Sequence, residues 1–244
     1  MLRLLSFLFL VSAFFSCLPE KTALERALRE AGDNRMELEK VLAYYRDDTL
    51  KYQAACFLIE NMPDQYAVLP LDSTDTYARA LLSLDKEDPV SWEISRSLVA
   101  AVFDSISKIQ PESRIKIVRD IEVMTSDYLI ENIESAFKVW NRRGVAKHYS
   151  FDDFCSYVLP YRVAHEPLSH WRRTALQRYG HWLDSLNAPQ DIARSIAMRY
   201  PVRYNAGMTK YPYIMSYEEM DSLQWGTCDD MTAFLTLSLR AIGI

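Results

Sequence analysis

Glycine, cysteine and histidine are scarce in this chain: six, four and four among 244 residues. No CxxC pair occurs, and His165-Glu166 runs into Pro167, which excludes an HExxH zinc helix. Neither a metal site nor a cofactor is expected. There is no basic run and no aromatic RNA-type motif, and the net charge is −5, so nucleic acid is not an expected partner. No fixed period appears, which disfavours a helical repeat scaffold. What remains is the composition of a globular chain, 49% hydrophobic and 25% charged, long enough for one large or two modest domains. Its fifteen tyrosines suit polar surfaces and carbohydrate or peptide contacts.

The N-terminal apolar run is too short to span a bilayer. Leu4 to Phe15 is twelve residues, against the roughly 20 a helix needs to cross about 30 Å of hydrocarbon. Behind Arg3 it reads as the core of an export signal. Ordinary cleavage after Ser16 would put Phe14 where a small residue is wanted. Cys17 directly after Ser16 instead resembles the lipobox of bacterial lipoproteins, with Phe14 in place of the usual Leu. That resemblance implies a signal peptide over 1–16, lipid attachment at Cys17, and an exported protein held in the bacterial cell envelope by its N-terminal lipid anchor, the membrane being its partner. Cys56, Cys155 and Cys228 remain; three cannot all pair, so at least one thiol is free. Cys56 and Cys155 sit in apolar helical patterns and read as small core residues.

Beyond Cys17 the pattern is mainly helical. Leu24–Ala31, Met36–Tyr45 and Leu50–Asn61 are predicted as three short helices, separated by Gly32-Asp33-Asn34 and Asp47-Asp48 and stopped by Met62-Pro63. Asp64–Ser73 reads as loop or extended chain. Helices are predicted over Thr76–Leu84 and, after Asp88-Pro89, over Val90–Ile109. Ile115–Val123 alternates like a strand at Ile115, Ile117, Ile121 and Val123, but its helical surroundings favour helix. Tyr128–Arg142 follows a cap at Ser126 or Asp127. Ser150 and Asp153 make a capping box whose helix Pro160 ends. Trp171–Leu186 and Pro189–Arg199 are further helices. Tyr200–Tyr213 is loop with a short strand around Val202–Tyr204, and Ser216 with Glu219 caps a helix to Leu223.

The last stretch carries the chemistry. Trp225-Gly226-Thr227-Cys228-Asp229-Asp230 leads into an apolar run ending Leu239-Arg240-Ala241-Ile242-Gly243-Ile244. Thr227 as N-cap with Asp230 three residues on places Cys228 in a first helical turn. An ordinary thiol titrates near about 8.5. Unpaired N–H groups and the positive dipole end favour its anion, whereas carboxylates at 229 and 230 oppose it if they face the sulfur. Met231, Phe234, Leu235 and Leu239 fall on helical spacing, Ala233, Leu237 and Ile242 broaden the stripe, and Gly243 suits the position just past the helix.

This Gly-x-Cys helix with its Arg-Ala-x-Gly-Ile end resembles the nucleophile helix of the transglutaminase-like superfamily, whose members share a papain-like core. More loosely, Ser150–Arg162 with Glu166-Pro167 and Trp171-Arg172 resembles the region upstream of that core in bacterial lipoproteins of the group. The resemblance implies a mainly α fold: an N-terminal helical region over 17–146, then over 147–244 the helical first half of a papain-like (transglutaminase-like) α+β core, with the sheet portion missing. It implies that Cys228 attacks a carboxamide or peptide carbonyl and that an amine or water releases the acyl group, with a His as base and an Asp to orient it. It also implies oxyanion donors from the Cys228 N–H and an upstream side chain among Trp225, Tyr204 and Asn205. In that family the His and Asp follow the cysteine, whereas His148, His165, His170 and His181 all precede it. The expectation is an exported lipoprotein related to such thiol enzymes, directed at a peptide or glycan-linked peptide, truncated after its nucleophile helix and inactive in this form. Lacking the sheet, the helix would expose an apolar patch. Tyr161, Arg162 and Glu166 read as a packing and ion-pair segment in preference to a substrate cleft. The alternative function is a non-enzymatic helical envelope lipoprotein, a binding or scaffold module in which Cys228 is structural.

Overall fold

The computed structural model describes residues 22–70, 97, 100–101, 104–105, 115–142, 145–183, 188–199, 202–205, 208–209 and 213–244. The expected signal peptide, Cys17 and the helix over Thr76–Leu84 lie outside them, as does most of Val90–Ile109. Among the described residues the chain is mainly helical.

The first three helices start where their caps dictate. In α1 (Ala23–Glu30) the Glu25 N–H donates to the Thr22 hydroxyl, and in α3 (Thr49–Glu60) the Lys51 N–H donates to the Asp48 carboxylate. Between them, α2 (Arg35–Tyr44) follows a 3-10 turn at Gly32–Asn34. Ala27 and Leu28, Leu38 and Val41, and Ala54, Ala55, Leu58 and Ile59 form the facing apolar stripes. Each Leu- or Ile-sized side chain so buried contributes about 1.5–3 kcal/mol.

Strand β1 (Tyr66–Pro70) pairs antiparallel with β2 (Ile115–Arg119), in a register running from Tyr66↔Arg119 to Pro70↔Ile115. This corrects the helix expected over Ile115–Val123; only Asp120–Val123, α4, is helical. The alternation in the sequence belongs to a strand whose partner lies far upstream. It does not mark a buried face, since Ile117 is 65% exposed.

Helix α5 (Ser126–Trp140) is capped by Thr125, one residue ahead of the expected cap. Glu37 of α2 accepts from both the N–H and the hydroxyl of Ser126, at 2.8 and 2.7 Å, so a second helix satisfies an N-terminal donor of α5. Helix α6 (Phe151–Asp153) opens on the Ser150–Asp153 capping box and loosens into a π-helical turn, Phe154–Val158. Helix α7 (Trp171–Tyr179), a 3-10 turn at Gly180–Trp182, and α8 (Pro189–Met198) follow. A two-residue strand β3 (Arg203–Tyr204) pairs parallel with β4 (Trp225–Gly226), which joins α9 (Tyr217–Leu223) to α10 (Cys228–Ala241).

Two apolar clusters result. The first gathers α1, α2, α3 and α5 with Phe154, Cys155, Val158 and Tyr161 and with Ile192 and Ile196 of α8, so it continues across the expected boundary at 146/147. The second gathers Trp171 and Ala175, Tyr217, Met220 and Leu223, and Ala233, Phe234, Leu237 and Ala241. Helix α10 serves both, because Leu235, Leu239, Ile242 and Ile244 pack on the first. Its Phe234 ring stacks on Tyr217 at 4.1 Å, and Ser238 Oγ lies 2.9 Å from the Tyr217 hydroxyl.

The irregular segment from Tyr157 to Glu166 joins these parts, and its carbonyls must find donors elsewhere. Arg240 of α10 donates to the carbonyls of Tyr157 (3.1 Å), Pro160 (3.2 Å) and Arg162 (2.8 Å). Arg172 donates to those of Val158, Leu159 and Pro160, Trp171 Nε1 to Tyr161 at 2.8 Å, and Asn132 to Leu159 at 2.9 Å. Arg162 forks onto Asp120 with bonds of 2.7 and 2.6 Å and also donates to the Glu166 carbonyl. The Glu166 carboxylate accepts from the N–H groups of Val163 and Ala164, both at 2.8 Å. Tyr161, Arg162 and Glu166 are all buried in this joint.

Candidate functional site

Helix α10 begins at Cys228 because the residues around it close on one another. The Asp230 N–H donates to the Thr227 hydroxyl at 3.3 Å, while Asp230 Oδ2 accepts from the Thr227 N–H and hydroxyl, both at 2.8 Å. Asp230 Oδ1 accepts from the Met215 N–H at 3.0 Å, which ties the chain ahead of α9 to the first turn of α10. The acidic pair therefore splits. Asp230, 2% exposed, serves the fold. Asp229 stays at the surface, its Oδ1 3.8 Å from Cys228 Sγ. Gly226 is dictated by the same closure, since a Cβ there would sit 2.7 Å from Asp230 Cβ.

Cys228 is exposed and borders a groove of about 480 Å³ with Ala197, Tyr204, Met231, Thr232 and Leu235. Its backbone N–H opens the helix and has no acceptor within it. Apart from the thiol and the hydroxyls of Tyr204 and Thr232, the groove walls are apolar. The helix exposes no large apolar side chain, contrary to the expected patch: Met231 and Leu235 line the trough half-buried, and Ala233, Phe234, Leu237 and Ala241 are buried on the other side.

The three expected oxyanion or cleft residues separate. Pairing of β3 with β4 sets Tyr204 opposite Gly226, and Tyr204, 40% exposed, reaches the groove. Asn205 is buried; its backbone N–H donates to the Gly226 carbonyl at 2.9 Å, so it braces β4 from behind. Trp225 is half-buried and packs against the second cluster. Of the three, Tyr204 alone shares the groove with the thiol.

No histidine lines that groove. His165 stacks on the Tyr66 ring at 4.1 Å, His170 pairs with Glu131 at 3.0 Å, His181 lies against Trp182, and His148 ends the 3-10 turn Val145–His148. Among the described residues no cluster of His, Cys, Asp and Glu could hold a metal ion, and no helix is long and apolar enough to cross a membrane.

Among the described residues the other two thiols are free as well. Cys155 is buried, and burial, with Asp152 nearby, pushes its thiol up to about 11. Cys56 is half-buried rather than a core residue, and burial raises its thiol too. Both border one groove of about 370 Å³ between α3 and the π-helical turn. Nothing in the spacing of either cysteine signals that they border the same groove, because that placement is tertiary. The chain matches no family model, no curated protein and no solved structure.

Proposed function

We propose that Cys228 is the nucleophile of a transglutaminase-like thiol site in an exported lipoprotein anchored through Cys17. The observation that supports it is the placement of the sulfur: exposed, in the first turn of a capped helix with one face buried, beside a 480 Å³ apolar groove. A thiol on so rigid an element can meet the acyl carbon of a peptide or glycan-linked peptide lying in that trough. The oxyanion formed on attack would meet the Cys228 N–H and the Tyr204 hydroxyl. Acyl transfer also needs a base, and among the described residues no imidazole stands beside the thiol. On this reading Cys228 is the nucleophile and the trough the binding surface, and the base that turnover needs is not among the groups lining the groove.

That same lack of a base favours a second reading, a non-enzymatic envelope lipoprotein whose groove binds a partner beside a spectator thiol. One experiment separates the two. The full chain is treated with a peptide acyl electrophile at neutral pH, and the adduct is located by peptide mass spectrometry. Stoichiometric modification at Cys228, slowed by excess unreactive carboxamide peptide and lost in Cys228→Ser, supports the nucleophile. Modification at Cys228 no faster than of a free model thiol, and untouched by the competing peptide, refutes it in favour of the binding module.

A further inference from the structure

Helix α3 and the π-helical turn after α6 face each other across the groove of about 370 Å³. Gln53, Cys56, Phe57 and Glu60 fall on one stripe of α3, at the spacing i, i+3, i+4, i+7. Phe151, Asp152, Cys155 and Ser156 form the other wall. The turn there closes an i→i+5 bond, from the Leu159 N–H to the Phe154 carbonyl at 2.9 Å. That conformation is rare and concentrates at functional sites. The rings of Phe57 and Phe151 and the two thiols make up the apolar part of the lining. Burial raises both thiols, and Glu60 and Asp152 add to it, so at neutral pH the sulfurs carry no charge. The charge of the groove is that of these two carboxylates. No Lys, Arg or His lines it. Among the described residues neither Glu60 nor Asp152 has a hydrogen bond or an ion pair, whereas Glu37, Glu131 and Glu134 are each held by a cation of the fold.

We propose that this groove binds a peptide through an arginine side chain, whose guanidinium meets Glu60 and Asp152. The match is one of charge and shape. A planar guanidinium has five donors, enough to serve a carboxylate on each wall, and its weakly hydrated face stacks on aromatic rings such as those of Phe57 and Phe151. An ammonium, compact and strongly hydrated, suits this lining less. The groove is larger than one side chain needs and lies within the roughly 300–1,000 Å³ of drug-sized ligand sites, so backbone on either side of the arginine enters with it. The Gln53 amide and the Ser156 hydroxyl stand exposed on the two walls for that backbone. Phe57 also borders a neighbouring hollow of about 180 Å³, where Asn61 and Gln65 supply further amides, which lets the peptide continue past the ring. The groove shares no lining residue with that of Cys228.

The test uses the full chain with acetyl-Leu-Arg-Leu-amide and with the same peptide carrying citrulline, which keeps the shape of arginine and loses its charge. Titration calorimetry is expected to show the citrulline peptide binding about tenfold more weakly. Iodoacetamide labelling locates the peptide. The arginine peptide should slow alkylation of Cys56, half-buried in the wall, and leave that of the exposed Cys228 unchanged. Glu60→Gln with Asp152→Asn removes no bond of the fold, so the double variant should melt close to the parent while binding the two peptides equally. Four results overturn the proposal: no binding of the arginine peptide, equal affinity of the parent for both peptides, a preference for arginine that survives in the double variant, or shielding of Cys228 in place of Cys56.

Discussion

Replacing Asp230 by Asn tests whether a buried carboxylate, rather than helix propensity, sets the position of Cys228. The two side chains have nearly the same volume, so packing is preserved. The carboxylate answers the Thr227 N–H and hydroxyl through one oxygen and the Met215 N–H through the other. An amide has only one acceptor, so either Thr227 or Met215 must face an NH2. Losing a charge-assisted bond costs about 1.5–3 kcal/mol, and stranding a buried N–H costs about 1–3 kcal/mol more. Loss of negative charge at the helix start adds about 0.3–1 kcal/mol. These contributions overlap, and a total near 3–4 kcal/mol is expected, or about 10 °C in melting temperature for a chain of this size. Asp229→Asn is the control: it makes the same charge change one residue away at an exposed position. It should cost no more than about 0.5 kcal/mol. Thermal unfolding by circular dichroism, run in parallel with iodoacetamide labelling of Cys228, reads both effects. If the two variants melt together, the closure of Asp230 on Thr227 and Met215 does not hold this turn, and the reasoning about the site fails.

Gly243→Ala should cost about 3 kcal/mol in urea unfolding, because φ is +77° and the new Cβ would lie 2.6 Å from Ala146 Cβ and 2.9 Å from Val139 Cγ1. Gly32→Ala, with φ of +54° and nothing within 4 Å, should cost only about 1 kcal/mol, and equal costs would show that crowding is not what fixes Gly243. The Glu37 carboxyl is held down to about 2, from its ordinary 4.5, first by Lys40 and then by the N–H and hydroxyl of Ser126. Its contribution to stability is therefore complete above pH 4.5 and lost as pH falls toward 2, so Glu37→Gln should flatten the acid limb of a melting-temperature profile over that window. Arg240→Lys keeps the charge but gives up the fork onto three carbonyls, and a loss of about 2 kcal/mol with faster amide exchange over residues 157–166 is expected.

What the sequence disclosed was local. The capping boxes at Ser150–Asp153, Ser216–Glu219 and Thr227–Asp230 form as their spacing requires, since both partners lie within one turn. The helices around Leu28, Val41 and Leu58 start and stop close to their predicted limits for the same reason. The strand at Ile115–Arg119 is not legible locally, because its partner Tyr66–Pro70 is remote in sequence and the helical patterns on either side compete with its alternation. The candidate site was half legible. Composition and capping placed Cys228 at a helix start, but which of Asp229 and Asp230 turns inward depends on Met215, and which of Tyr204, Asn205 and Trp225 reaches the thiol depends on strand pairing. Arg162 is legible as part of a packing and ion-pair segment, but its partner Asp120 is not, and neither are the carbonyls that Arg172 and Arg240 reach from their helices, because those contacts join residues remote in sequence.

Those arginines bear on the chemistry through α10. The first turn of that helix is tied by Asp230 to the chain ahead of α9, in the second cluster. Its last turn is tied by Arg240 to the carbonyls of residues 157–162, while Ile242 and Ile244 pack in the first cluster. A helix anchored at both ends in different cores cannot swing its thiol toward a ligand without breaking one of them. Cys228 therefore presents a fixed sulfur, and whatever occupies the groove must conform to Tyr204, Met231 and Leu235. Preorganisation of this kind suits a nucleophile, whose reacting atom must be held in place. It suits a passive binding surface too, but such a surface would work as well with alanine at 228, so the consequence of that single replacement is what divides the two readings.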